Sequence, residues 1–222
     1  DPIQDEWLTV SSKYDMRKDF VSKKIDVLAD KTIRREVAKG DSVYVLALDA
    51  QKKPYIYCFD AKTETKLFDI STEGVGMPND GNELLALSDI AMTSDSILVA
   101  CNQVAATFTP STVLRMYRWD RDEKTRAPKG NPQIWFTSSD NYTSGNFFNS
   151  ITGSTMAVNG RSDDCTVITT AQNSGSSDEI RFPMFSITRK GLIGTIRNQD
   201  KTRFKVSLLG ADYQLSTSPF AD

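Results

Sequence analysis

The chain has 222 residues, 39% hydrophobic and 25% charged, and its 27 basic and 29 acidic side chains leave a net charge of −2. Those proportions suit a globular chain with a sizeable core and give no general attraction for nucleic acid or anionic lipid. Histidine is absent, which removes His-dependent acid–base steps, Ser-His-Asp and Cys-His nucleophiles and the commonest zinc sites together.

The sequence begins Asp1-Pro2, a start that fits a processed N-terminus. Residues 13–39 carry nine Lys or Arg against five acids. With the two signs interspersed, this segment reads as a solvated surface, and 14–28 as a short helix. Beyond it the chain reads as strands. Residues 33–39, 43–48, 54–60 and 66–70 form a first unit, with the turn Gly40-Asp41 between its first two members. The run 43–48 is the longest clear apolar stretch, far short of the ~20 residues that cross a bilayer.

A second unit follows in the same order: 87–92, the turn Asp95-Ser96, 97–101, 114–120 and 133–137. The third takes 147–152 and 155–158, a turn at 161–164, then 166–171, 182–188 and 192–196. Short β-branched and aromatic runs separated by Gly, Asp, Asn and Ser are strand signals.

One strand is common to the three units. It reads Pro54-Tyr55-Ile56-Tyr57-Cys58-Phe59-Asp60, then Leu114-Arg115-Met116-Tyr117-Arg118-Trp119-Asp120, then Phe182-Pro183-Met184-Phe185-Ser186-Ile187-Thr188. Tyr57, Tyr117 and Phe185 coincide, and so do Phe59, Trp119 and Ile187; packing between adjacent sheets explains both sets. Four strands joined by turns and repeated make a propeller blade. The expected fold is therefore all-β and β-propeller-like, one domain over 1–222. Its blades lie at about 31–71, 85–138 and 146–198. The tails, 1–30 and 199–222, supply strand-like pieces for a fourth unit. A β-sandwich of the same strands is the alternative.

Blade geometry sorts the connections onto two faces. The long ones, 72–83, 103–111, 138–145 and 174–180, fall together; the short turns 39–41, 94–95 and 189–191 fall opposite, joined by one long charged connection at 121–131. Long loops on a rigid scaffold tend to carry function. Their polar and aromatic residues suit a sugar ring or an extended peptide. The ligand-binding candidates are Asn79, Asp80, Asn82, Phe108, Asp140, Asn141, Tyr142 and Asn146.

Other motifs have plain readings. Gly74-Val75-Gly76 lacks the helix a dinucleotide fingerprint requires. Asn79 to Glu83 offers oxygen ligands without the ordered spacing of a calcium loop. Asn141-Tyr142-Thr143 matches a glycosylation acceptor, a short pattern. The acid pairs Asp122-Glu123, Asp163-Asp164 and Asp178-Glu179 are the material for a two-carboxylate glycosidase, and also for solvated turns. Cys58, Cys101 and Cys165 lack metal-ligand spacing and read as buried thiols. No catalytic residue, metal or cofactor is expected.

The run Leu67-Phe68-Asp69-Ile70-Ser71-Thr72-Glu73-Gly74-Val75, then Leu87-Ser88-Asp89-Ile90-Ala91, Ile97-Leu98-Val99-Ala100-Cys101-Asn102 and Tyr117-Arg118-Trp119-Asp120, resembles the propeller-like domains of Bacteroidota exported proteins and lipoproteins. Such proteins often accompany SusC/SusD-type nutrient importers. The resemblance covers roughly 33–198. It implies a non-enzymatic accessory protein, exported and lipid-anchored at the outer-membrane surface, that assists uptake of an oligosaccharide or oligopeptide and docks on the importer. A carbohydrate-active enzyme using paired acids and a purely structural interaction module are the alternatives.

Overall fold

The computed structural model describes residues 26–75, 83–105, 113–137, 150–173, 180–188 and 191–197. Among the described residues it is all-β apart from one 3-10 turn, Asp26–Leu28. That turn is the described end of the expected helix; residues 14–25 lie outside the described residues.

Among the described residues, twelve strands form in three successive antiparallel meanders. The first contains β1 (Thr32–Lys39), β2 (Ser42–Leu48), β3 (Pro54–Asp60) and β4 (Lys66–Ile70), hydrogen-bonded in that order. The second contains β5 (Glu83–Met92), β6 (Leu98–Ala105), β7 (Arg115–Arg121) and β8 (Pro128–Thr137). The third contains β9 (Ser150–Arg161), β10 (Asp164–Asn173), β11 (Ile180–Ser186) and β12 (Gly191–Arg197). The expected runs thus form strands in the expected order. The described parts of the two pieces expected before the third turn, 150–152 and 155–158, belong to one strand, β9, which passes through Gly153 at φ 86; 147–149 lie outside the described residues.

The second and third meanders are not separate sheets. Val104 and Ala105 of β6 pair with Thr152 and Ile151 of β9, which fuses eight strands into one sheet beside the first four.

Alternation decides which side chains meet. On β3, Ile56 and Cys58 face the second sheet and, with Leu46 of β2, pack with Leu87, Ile90, Leu98, Tyr117 and Trp119. On β7, Met116 points the other way, into a cluster with Val99, Leu114, Phe136, Met156, Val167, Phe185 and Ile187. Tyr57 and Phe59 form a third cluster with Val43, Val45, Ala47 and Leu28 on the far face of the first sheet. Residues at successive positions of the repeated strand therefore serve successive cores, as period-2 geometry requires. Tyr57, Tyr117 and Phe185 are all buried, so the repeat marks packing.

Two tryptophans fasten neighbouring meanders. Trp119 on β7 is fully buried and donates its Nε1–H to the Ser71 carbonyl at 2.8 Å. Trp135 on β8 donates to the Ser162 carbonyl at 2.9 Å. A large buried ring contributes about 1.5–3 kcal/mol by burial alone, and its N–H needs a partner there.

The charged connection at 121–131 is shorter than expected, because β8 begins at Pro128. Its turn repeats that of β3–β4. Asp60 Oδ1 accepts from the amides of Lys62 and Thr63, and Asp122 Oδ1 from those of Lys124 and Thr125. Glu64 and Arg126 then take positive φ, 58° and 64°, and donate their amides to the Asp60 and Asp122 carbonyls. Asp-x-Lys-Thr is thus written twice, each time to nucleate an Asx turn.

Candidate functional site

The first strands of the three meanders, β1, β5 and β9, lie side by side at the centre of the described structure. Each departs from regular pairing at the same level. On β1, Ile33 pairs with Ala47 and Arg35 with Leu46, leaving Arg34 as a bulge. On β5, residues 86–88 oppose Asn102 alone, between the pairs Leu85–Gln103 and Asp89–Cys101. On β9, residues 153–155 oppose Thr170 alone, between Thr152–Ala171 and Met156–Thr169. A bulge re-aims side chains and frees main-chain groups, and here the three bulges meet.

The β1 bulge sends two consecutive arginines toward the second sheet, which regular alternation forbids. Arg34 donates from Nε to the Ser88 carbonyl at 3.1 Å and from Nη2 to the Ser154 carbonyl at 3.0 Å. One planar fork thus ties β1 to the bulges of both β5 and β9. Arg35 Nε lies 3.4 Å from Asp89 Oδ1. Asp89 in turn accepts the Ile90 amide at 2.9 Å and the Met156 amide at 2.7 Å. Beside it the Ser88 hydroxyl is shared between the carbonyls of Cys101, at 3.1 Å, and Gly153. Gln103 reaches the Ser154 hydroxyl at 2.7 Å.

Burial dominates the electrostatics. It pushes the Asp89 carboxyl up to about 6, against the opposing pull of Arg35 and of the two amides. Burial, followed by the neighbouring Asp89 charge, pushes the Cys101 thiol up to about 12. A thiol so placed is inert, and the Ser88 hydroxyl is engaged by carbonyls. These groups hold strands together.

Beside them opens a cleft of about 340 Å³ between the same three strands. Arg35, Val37, Ala38 and Lys39 of β1 form one wall, Ala91 to Ser94 another, and Met156, Ala157 and Val158 the third. It lies toward the short turns that end β1, β5 and β9. One of those turns is fastened by Asp95, whose carboxylate accepts from the Thr93 hydroxyl at 2.6 Å and from the Ser162 amide and hydroxyl at 2.8 and 2.7 Å. Burial opposes ionisation of Asp95, but these hydrogen bonds outweigh it and hold the carboxyl well below the usual carboxylate range.

The ligand candidates read from sequence, Asn79, Asp80, Asn82, Phe108, Asp140, Asn141, Tyr142 and Asn146, all lie outside the described residues. So does Asn141-Tyr142-Thr143. At the base of one long loop, Asn102 donates to Glu83 Oε1 at 2.8 Å and the Val113 carbonyl at 3.0 Å, and accepts the Arg115 amide at 2.7 Å. The described acid pairs serve turns. Asp122 caps its hairpin, Glu123 pairs with Arg121 at 3.3 Å, Asp163 with Arg161 at 3.2 Å, and Asp164 accepts from Thr188 at 2.8 Å. Asp178-Glu179 lies outside the described residues. Among the described residues, no three His, Cys, Asp or Glu side chains gather to hold a metal ion.

Sequence reasoning missed the arginines. Arg34 and Arg35 fall in the basic segment read as solvated surface, yet the Arg35 side chain is only 11% exposed. Two adjacent charges inside a strand pattern break its alternation, and Asp89 interrupts an apolar run; both were legible signals of a bulged, charged centre. No protein-family model matches the chain, and no curated protein matches it in sequence.

Proposed function

We propose that this chain is a non-enzymatic binding module whose three meanders act as the blades of a propeller-like domain. The observation that carries this reading is the convergence of three bulged inner strands on one cleft, with the nearby carboxylate, thiol and hydroxyl of Asp89, Cys101 and Ser88 committed to holding the strands. Rigid strands around a small cavity pre-organise a site, which favours binding over chemistry when the reactive groups are occupied. Val45 and Phe59 are fully buried on the far face of the first sheet, the face that in a ring would receive a fourth unit drawn from the tails.

The cellular role proposed is that implied by the sequence resemblance: an exported, lipid-anchored accessory of a SusC/SusD-type importer at the bacterial outer membrane, serving oligosaccharide or oligopeptide uptake. The test is affinity capture of outer-membrane proteins from the native host, alongside glycan and peptide binding screens on the purified chain. Co-purification of an importer with a specific ligand supports the role; binding neither ligand nor importer rejects it.

A further inference from the structure

The cleft between β1, β5 and β9 has largely apolar walls and two cationic residues on its β1 side, Arg35 and the exposed Lys39. Arg35 is the buried one. Its Nη1 is buried without a hydrogen bond and its Nε meets Asp89 at 3.4 Å without hydrogen-bond geometry, while Asp89 already accepts two main-chain amides. Arg34, next to it, is satisfied only by neutral carbonyls. Two guanidinium groups thus face one carboxylate among the described groups at this level. Glu36 does not redress the balance, because its pairing with Val45 places it on the other face of β1. A guanidinium with free N–H groups away from water attracts an anion, best a planar carboxylate it can grip with two bonds.

The walls narrow the choice. Val37, Met92 and Val158 give apolar surface that a phosphate or sulfate cannot use, and a neutral sugar leaves the arginine unsatisfied. In the described pairing β1 bonds only to β2, and β5 only to β6, so each has a second edge that can pair with an extended main chain. The volume, about 340 Å³, is at the small end of ligand sites. It suits the end of a chain and not a folded partner.

We propose that this cleft receives the C-terminal carboxylate of a short peptide ending in small apolar residues, with Arg35 as the anchor. The proposal rests on the binding-module reading and selects peptide over oligosaccharide within it. Calorimetric titration of the whole chain with an acetylated Ala-Ala-Val tripeptide, as free acid and as C-terminal amide, tests it. The free acid is expected to bind at least about tenfold more tightly than the amide, the scale of one lost charged hydrogen bond. Arg35→Met is expected to erase that difference. Lys39→Trp fills the mouth from an exposed position on the Arg35 face of β1 and is expected to abolish binding with the unfolding temperature unchanged, so the test survives misfolding of the arginine variant. Equal affinity for acid and amide, no binding of either at millimolar concentration, or hexanoate binding as tightly as the peptide each overturns it. A neutral oligosaccharide that binds without any preference for carboxylate also overturns it, yet leaves the binding-module reading standing.

Discussion

The Arg34 guanidinium donates to the Ser154 carbonyl at 3.0 Å across 120 residues of sequence, while its Nε holds the Ser88 carbonyl. One side chain therefore closes contacts among all three meanders at the level where each inner strand is bulged. Removing it leaves two carbonyls without their charged donor. Arg34→Ala is expected to cost about 2–4 kcal/mol, at 1.5–3 kcal/mol per charged hydrogen bond less partial hydration. Arg34→Lys should recover less than half, because one ammonium cannot span both oxygens with fork geometry. Urea unfolding monitored by tryptophan fluorescence measures both; full stability in the lysine variant would show that charge alone suffices.

Asp89 gives the fold a pH dependence of unusual sign. Its carboxyl is pushed up to about 6 from an ordinary 3.8, so the folded chain holds that proton more tightly than the unfolded one. Stability from this group is present at low pH and is lost as pH rises through about 6. Between pH 7 and pH 5 the chain should gain about 1 kcal/mol. The absence of histidine leaves that window otherwise quiet, since no ordinary side chain titrates there. Asp89→Asn should flatten the profile between pH 5 and 7. It should also be less stable at pH 7, because an Asn side chain has one acceptor oxygen and cannot satisfy both the Ile90 and Met156 amides. Parallel profiles for the two proteins would remove Asp89 as the source.

The order of the strands was legible because β-branched and aromatic runs alternate with Gly, Asp and Asn, and alternation is a local property. The bulges were not. They depend on which partner a strand finds, and period-2 reading assumes a regular ladder. Arg34 and Arg35 look like a solvated pair until the slip between Ile33–Ala47 and Arg35–Leu46 turns both toward Asp89. The second Asp-x-Lys-Thr turn was hidden for another reason: β7 runs on to Arg121, so the turn begins at Asp122, two residues past the Asp120 that the aromatic repeat aligns with Asp60. Loop-borne candidates such as Asn141 and Tyr142 rested on composition alone, which places no side chain in space.

Gly153 stands where β9 is bulged and where Asn102 anchors its loop. Its φ is +86°, and an added Cβ would overlap the Asn102 carbonyl oxygen and crowd Leu114 Cδ1 at 2.9 Å. Neither obstacle can yield: the oxygen is main chain and the leucine is fully buried. Gly153→Ala should therefore cost on the order of 3 kcal/mol or more, through positive φ and steric overlap together. Gly74→Ala is the control, with φ +93° and nothing within 4 Å of the added carbon. It should cost only about 1 kcal/mol, the backbone part alone. Equal losses in thermal unfolding would mean that the β9 bulge relaxes around the methyl group.

The cysteines offer a probe of how firmly the clusters are closed. Cys58, Cys101 and Cys165 are free and buried, one on each of β3, β6 and β10. Burial raises all three thiols, and pushes Cys101 and Cys165 up to about 12. Reaction with a disulfide reagent needs both thiolate and access, and at pH 8 the folded chain denies both. The native protein is expected to titrate no thiols at that pH, and all three after unfolding in guanidinium. Slow native reactivity should follow the opening equilibrium of each cluster. Cys101, bracketed by Ser88 and Gly153 at the junction of β5, β6 and β9, should react last. Arg34→Ala should speed its labelling more than that of Cys58, because the lost fork spans the strands around Cys101. Equal acceleration at both positions would instead mean that Arg34 stabilises the whole chain evenly, without fastening its centre.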